Sequence, residues 1–317
     1  MSAPKSEITV ANAAWEGAKP DLSVLIPFYR YDPTPLALVL DREASGLSGR
    51  VELVLLDDGG VDARLAEASA ELIADLKTPA QLIRLAANQG RAKGRNRLIA
   101  AARAPYLLFL DCDMAPDSTA FLARWLELID REAPKVAVGG FSLKQATPGP
   151  QHRLHAALQQ RAECLPAAVR ARDPGKYVYT SNLLARREVF DLEPFDEAFN
   201  GWGWEDVDFG MRAAARFGFG VSHIDNPASH LGLDTAGALL AKYDQAGPNF
   251  ARFCAKHAEA AARLPSYRLA KMLKRQPGRA LARAALKAAA LAEAAPLPLR
   301  IVAAKLYRAF VYAEALA

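Results

Sequence analysis

Two acidic clusters hold most of the chemical potential of this 317-residue chain: Asp111-Cys112-Asp113, and downstream Gly201-Trp202-Gly203-Trp204-Glu205-Asp206-Val207-Asp208. Asp111 and Asp113 follow an apolar run. Two carboxylates one residue apart at a strand end can chelate one hard cation while the diphosphate of a ligand fills other coordination positions. Mg²⁺ or Mn²⁺ suits such an oxygen-rich site. In the second cluster the glycines permit tight turns, and Trp202 or Trp204 offers a flat apolar face to a ring. Glu205 and Asp206 open a helix whose positive end favours ionised carboxylates, and an ionised carboxylate beside a hydroxyl is what a general base must be. Plainer readings exist for both. Asp111 and Asp113 would equally cap a helix starting near Asp117, and the tryptophans would simply pack. The second is the weaker alternative, because two adjacent acids in so apolar a stretch are costly without a partner.

The elements that position these groups are legible as apolar runs. Strands are predicted at 22–26, 51–56, 81–85, 106–110 and 136–140, with helices between them at about 34–46, 62–76, 90–103 and 117–131. Near-continuous apolar strands alternating with helices predict an α/β fold with a mostly parallel, Rossmann-like central sheet covered on both faces. Ligands of such sheets lie beyond the carboxyl ends of the strands. Pro27, Asp57-Asp58 and Asp111 to Asp113 all fall at such ends. Past Ala146 the pattern changes: a helix near 151–163, a Pro/Gly/Arg-rich loop, a helix near 205–217 and a short strand near 219–224.

Three further stretches belong to the same edge. Asp57-Asp58-Gly59-Gly60 could bind a ribose or base N–H, or merely cap the next helix. Asn88-Gln89-Gly90-Arg91-Ala92-Lys93-Gly94-Arg95-Asn96 opens a helix whose free N–H groups could meet a diphosphate. It is neither a Walker loop nor a dinucleotide turn. His230 follows a short strand and could complete a metal shell. His223 is a weaker candidate, and His152, His155 and His257 look incidental.

Net charge is +5, but ten basic and two acidic residues from Pro265 onward give that segment +8, leaving −3 for the rest. The basic character belongs to the tail, so nucleic-acid binding by the main body gains no support. No apolar run reaches the roughly eighteen residues of a membrane span. Met1 to Pro20 lacks an apolar signal core, and three scattered cysteines do not make a disulfide framework. The cytoplasm is the expected compartment. The tail pairs a basic stripe (Lys271, Arg275, Arg279, Arg283, Lys287) with an apolar one (Leu299, Val302, Leu306, Phe310). It would lie on an anionic membrane, at the inner face of the plasma membrane, or pack on the catalytic domain or in a dimer. The expected units are an extension at 1–20, a catalytic domain at 21–264 and a basic amphipathic helical tail at 265–317.

The ordered series Ile26-Pro27-Phe28-Tyr29, Asp57-Asp58-Gly59, Asn88-x-Gly90-x-x-x-x-Arg95-Asn96 and Leu110-Asp111-x-Asp113 resembles the family-2 inverting glycosyltransferases of GT-A fold. Gly201 to Asp208 resembles the acceptor-side motif of the β-1,4-galactosyltransferases and of the chondroitin-polymerase and polypeptide N-acetylgalactosaminyltransferase group. The resemblance implies Asp113 and His230 as metal ligands, with Asp111 turned toward the ribose. It implies Asp206 as general base, Glu205 as a binder of sugar hydroxyls and Trp202 as the sugar platform. Pro27, Phe28, Tyr29, Asp57, Asp58, Asn88, Gly90 and Arg95 would line the nucleotide-sugar site. Gly60 and Arg30 depart from the family's usual serine and asparagine. The implied donor is a UDP-sugar and the acceptor a glycan or lipid-linked glycan of a surface polysaccharide. The competing classes are a sugar nucleotidyltransferase, which should carry an N-terminal glycine-rich triphosphate loop that Pro27 to Arg30 is not, and a non-catalytic nucleotide-sugar or glycan binder.

Overall fold

The structure, a computed structural model, describes residues 7–217 and 221–316. Its centre is an eight-stranded sheet built from β1 (Glu7–Ala11), β2 (Leu22–Phe28), β3 (Val51–Asp57), β4 (Ala80–Leu85), β5 (Tyr106–Phe109), β7 (Val136–Val138), β9 (Leu183–Arg186) and β10 (Ser222–His223), in the order β1-β4-β3-β2-β5-β9-β7-β10. A second sheet of β6 (Met114–Pro116), β8 (Phe141–Ser142) and β11 (Ala228–His230) has the order β6-β11-β8. Strands β2, β3, β4 and β5 run parallel, whereas β1 and β9 are antiparallel to their neighbours. The expected mostly parallel α/β sheet is therefore present. Of the strand expected at 219–224, residues 219 and 220 lie outside the described residues.

The side-chain alternation of the strands builds two cores at once. Val24, Ile26, Leu53 and Leu55 point to one face, where they meet α1 (Thr34–Ala44), α2 (Ala63–Asp75) and α4 (Phe121–Glu132). Leu25, Val54 and Leu56 point to the other, against α3 (Arg91–Ala101), α7 (Arg187–Leu192) and α8 (Glu205–Phe217). Both faces are dry, which is why β2 and β3 read as unbroken apolar runs. Between these elements lie α5 (Arg153–Ala162) and the single-turn α6 (Ala167–Arg170).

Residues 7–15 are part of this body. Five residues of β1 pair with β4, and the Asn12 side chain satisfies Leu76, Thr78 and Ala80 backbone groups. Arg103 donates to the Trp15 carbonyl at 2.7 Å, and its guanidinium lies 3.6 Å from the Trp15 ring centroid. The same arginine pairs with Glu52, a carboxylate buried inside β3.

A third core lies beyond the sheet, where α9 (Ala236–Lys256) and α10 (Ala258–Arg263) meet the tail helices α11 (Pro265–Leu273), α12 (Arg279–Leu291) and α13 (Leu297–Ala315). Ile301, Ala304, Tyr307, Val311 and Tyr312 of α13 face this core, whereas Leu299 and Val302 are about half exposed. Of the two fates considered for the tail, packing on the protein is the one seen for its inner face. No helix among the described residues is long and apolar enough to cross a membrane.

Tyr312 joins the tail to the body: its ring stacks on Phe250 at 3.9 Å and its hydroxyl accepts from the Trp204 indole at 3.2 Å. Tyr312→Ala should cost about 3–5 kcal/mol, the usual price of a large buried aromatic truncation. Denaturant unfolding followed by circular dichroism measures it, and an unchanged midpoint would mean that α13 does not brace this core.

Candidate active site

Two cavities open at the carboxyl ends of β2, β3 and β5. The first, of about 630 Å³, is lined by Pro27, Phe28, Tyr29, Asp58, Asn88, Gly90, Arg95, Asp111, Asp113 and Trp202 among others. The second, of about 320 Å³, is lined by Trp202, Glu205, Asp206 and His230 together with Glu163, Tyr179 and residues of α13. Arg91, Asp111, Asp113, Trp202, Asp234 and Lys242 line both, so they form a shared wall.

The floor of the first cavity is set by glycines. Gly59 has φ +73°, and a Cβ there would lie 2.2 Å from the Ala87 carbonyl carbon. This lets the turn after β3 press against 87–88. Asp58 then accepts from the Gln89 and Gly90 amides at 2.8 and 3.0 Å and from the Asn88 side chain. Gly90, at φ +87°, starts α3 without a side-chain cap, so the first-turn N–H groups of that helix are available to an anion. Asp57 differs from the other residues expected here. Its carboxylate turns away from the cavity to accept from the Gly60 amide at 2.8 Å, with Arg84 at 3.8 Å. A strand end sends neighbouring side chains to opposite sides, and only Asp58 faces the ligand space.

Arg95 is also less free than a ligand-binding arginine would be. It is 2% exposed, donates to Glu205 at 2.8 Å and stands 3.6 Å from Asp111. Glu205 is 3% exposed, and its second oxygen is buried without a hydrogen-bond partner among the described residues. The sequence assigned these two to separate tasks, nucleotide and sugar; in the structure they are first of all partners of one another.

Asp113 and His230 meet through β6 and β11, which pair antiparallel with His230 opposite Met114. His230 Nε2 lies 3.2 Å from Asp113 Oδ2, and His230 Nδ1 lies 3.1 Å from Gln159 Oε1. Gln159 can thus accept from Nδ1–H and leave Nε2 turned toward Asp113, the orientation a metal-ligating histidine needs. Gly232 crowds the pair so closely that a Cβ would sit 2.1 Å from Asp113 Oδ2. Burial opposes ionisation of both partners, but each stabilises the other's charge, so His230 is held above its usual pKa and Asp113 below. A carboxylate oxygen and an imidazole nitrogen this close fit one divalent cation, with the remaining positions left for phosphate and water. No group of three or more His, Cys, Asp or Glu that could hold a metal is gathered among the described residues.

Asp206 stands on the second cavity at the start of α8. Burial, with the neighbouring Glu205 charge added to it, pushes its pKa up to about 7. A carboxylate near neutrality is poised to accept a proton. The preceding loop is held in an unusual form: Gly201, Gly203 and Trp204 have φ of +84°, +85° and +76°. A left-handed tryptophan is strained and persists only where its surroundings over-determine it. Here the Trp204 ring packs 5.0 Å from Phe250 and 4.7 Å from Phe253, and Asn249 holds the Gly203 carbonyl at 3.0 Å. Trp204 is thereby packed against the core while still lining the second cavity, and Trp202 is the tryptophan that lines both cavities.

Sequence reading passed over several residues of this wall. His155, read as incidental, lies 5.9 Å from the His230 ring and accepts from the Asp234 amide; burial lowers its pKa to about 4. Arg91, Lys242, Gln159, Glu163, Lys305 and Arg308 also line the site. Arg91 stood inside the 88–96 stretch and its helix-start position was the available signal. The others lie on elements whose packing no local pattern announces. His223 is elsewhere, between Arg170 and the Pro174 carbonyl.

The Glycosyl transferase family 2 model matches residues 23–192, more than half of the chain and short of the 201–208 loop and His230. No curated protein matches in sequence. Among solved structures, the chain is similar to glucosyl-3-phosphoglycerate synthase from Mycobacterium tuberculosis in complex with phosphoglyceric acid, at 17% identity over 75% of this chain and 80% of that one, with a TM-score of 0.50. It is also similar to S. aureus TarS 1-349 in complex with UDP-GlcNAc (16% identity, 91% of each chain, TM-score 0.48). A third is the mannosyltransferase PcManGT from Pyrobaculum calidifontis in complex with GDP-Man and Mn²⁺ (15% identity, 94% of this chain and 86% of that one, TM-score 0.48). At 17% identity the first of these speaks to shared fold alone. The family match and the sheet it spans make this chain a family-2 glycosyltransferase of GT-A fold.

Proposed function

We propose that the chain is an inverting, divalent-metal-dependent transferase that moves a sugar from a nucleotide sugar, a UDP-sugar, to a hydroxyl of a glycan or lipid-linked glycan. The observation that supports it is the shared wall: Asp111, Asp113 and Trp202 separate a cavity sized for a nucleotide from a smaller one that holds Asp206. The nucleotide lies against Pro27, Phe28, Tyr29 and Asp58, with its diphosphate at the start of α3 beside Arg91. Asp113 and His230 would hold Mn²⁺ or Mg²⁺, which when bound supplies charge stabilisation to a departing diphosphate. Asp206 takes the proton of the acceptor hydroxyl as that oxygen bonds to the anomeric carbon and the bond from that carbon to the phosphate oxygen breaks. Attack from the face opposite the leaving group inverts the anomeric centre. Glu205, pinned by Arg95, keeps Asp206 at the mouth of α8 and offers its free oxygen to the sugar. The similarity of 201–208 to the galactosyltransferase and chondroitin-polymerase motif is in keeping with a hexosyl or N-acetylhexosaminyl donor. A role in surface polysaccharide synthesis belongs to the same reading.

A membrane-facing tail is the second half of this reading, supported by exposed Met272, Leu281, Leu299 and Val302 among basic residues. The protein should float with anionic liposomes and not with neutral ones; no flotation ends the idea.

Calorimetry should show UDP binding in Mn²⁺ that is lost in EDTA, with GDP weaker. Asp113→Ala should abolish the metal-dependent part; the same affinity in that variant would remove Asp113 from the metal. Asp206→Asn should keep UDP binding and lose turnover by about 10²–10⁴-fold, the usual worth of a general base. A base must be ionised, so wild-type turnover should fall as pH drops through about 7, where Asp206 takes up its proton. A rate that is flat from pH 5.5 to 8 (roughly the window in which such a group titrates) contradicts the assignment.

A further inference from the structure

The acceptor-side cavity is lined by three cations from outside the family-matched residues, Lys242, Lys305 and Arg308. Arg308 and, one turn earlier, Lys305 of α13 line it together with Asp206. Of the other cations nearby, Arg95 is committed to Glu205, Lys242 to Asp234 and Arg283 to Asp244, while Arg91 on the shared wall stands 3.9 Å from Glu205. Arg308 and Lys305 make no ion pair or side-chain hydrogen bond among the described residues. Arg308 is partly buried, and its guanidinium carbon lies 5.3 Å from the Tyr243 ring centroid and 6.0 Å from that of Tyr312. Two aromatic faces therefore hold the group in place and leave its N–H donors unspent. Glu163 on the same cavity is close enough for its charge to act on Arg308, but it has not closed into an ion pair. A guanidinium withdrawn from water without a counter-ion is costly, and a ligand anion would relieve that cost through a forked, charge-assisted contact.

We propose that Arg308, assisted by Lys305 at the rim, binds a phosphate or carboxylate group of the acceptor, so that the substrate class is an anionic glycan or glycan phosphate. This rests on the glycosyl-transfer reading, since it takes the cavity holding Asp206 as the acceptor's. At about 320 Å³ the cavity is of a size that holds one small ligand, so the anion and the reacting hydroxyl belong to the same or adjoining sugars. Arg308 is then a specificity-determining residue, supplied by the tail.

The test is a titration of the full chain, loaded with Mn²⁺ and UDP, followed by tryptophan fluorescence, to which Trp202 and Trp204 on the cavity contribute. The probes are methyl glucoside, methyl glucuronide and glucose 6-phosphate. The two anionic probes should bind at least about tenfold more tightly than the neutral one, as expected of a charged hydrogen-bonded pair. Arg308→Gln should erase that preference without changing UDP affinity, Arg308→Lys should restore part of it, and Lys305→Gln, at an exposed position that tolerates change, should weaken it less. Equal binding of neutral and anionic probes, or a preference that survives in Arg308→Gln, overturns the proposal. If UDP does not bind, the donor reading fails, and the same titration of the nucleotide-free protein still decides whether Arg308 selects anions. A prenyl-phosphate-linked sugar in detergent compared with its methyl phosphate counterpart separates the sources. Tighter binding of the prenyl form assigns the anion to a lipid carrier and equal binding to a soluble glycan, and either result supports the anion when Arg308→Gln removes it.

Discussion

The buried pair of Arg95 and Glu205 is the constraint on which the site depends. Arg95 leaves α3, Glu205 opens α8, and Asp111 stands two residues past β5; one guanidinium ties the three elements together. Such a pair adds little net stability over apolar packing, yet loss of either member would strand a charge in the core at a cost of about 3–5 kcal/mol. Its value is in placement. Because Glu205 is kept ionised by Arg95, the adjacent Asp206 feels a fixed negative neighbour, which adds to burial in raising its pKa. A structural ion pair thus sets the protonation of the group beside it.

The second dependency runs from the tail to the loop. Trp204 adopts a backbone conformation that tryptophan ordinarily avoids, and the forces that hold it there come from α9 and α13. The loop that delivers Glu205 and Asp206 is therefore stabilised by residues far along the chain, beyond the part that the family model covers. The sheet provides the nucleotide half of the site, and the helical layer completes the other half.

How far the sequence disclosed this follows from the physics of each element. Strands β2 to β5 are buried on both faces, so they stand out as apolar runs, and the helices between them follow. β1 did not stand out, because an edge strand of five residues with an exposed face has a weak pattern. β9 was hidden inside a loop region, being recognisable only through its antiparallel neighbours β5 and β7. At the site, residues at strand ends and helix starts were legible by type and position. The adjacent Asp57 and Asp58 were not separable, since which of them faces the cavity depends on the pleat. Arg308 reads in sequence as one more surface charge; only the packing of α13 against α9 brings it to the cavity. Periodicity likewise divided the tail between membrane and core without indicating that one helix serves the core with one side and keeps Leu299 and Val302 outside.

The short β1 strand has a consequence for handling the molecule. β4 would otherwise be the sheet's terminal strand, presenting a row of unpaired amides and carbonyls, and such edges recruit strands from other molecules. β1 covers that row with residues largely open to solvent, and Arg97 fastens it through a two-pronged contact to Glu7 at 2.6 and 2.8 Å. Shortening the chain from its N-terminal side to residue 21, a natural place to trim from sequence alone, would uncover the edge and convert a monomer-friendly surface into a template for self-association.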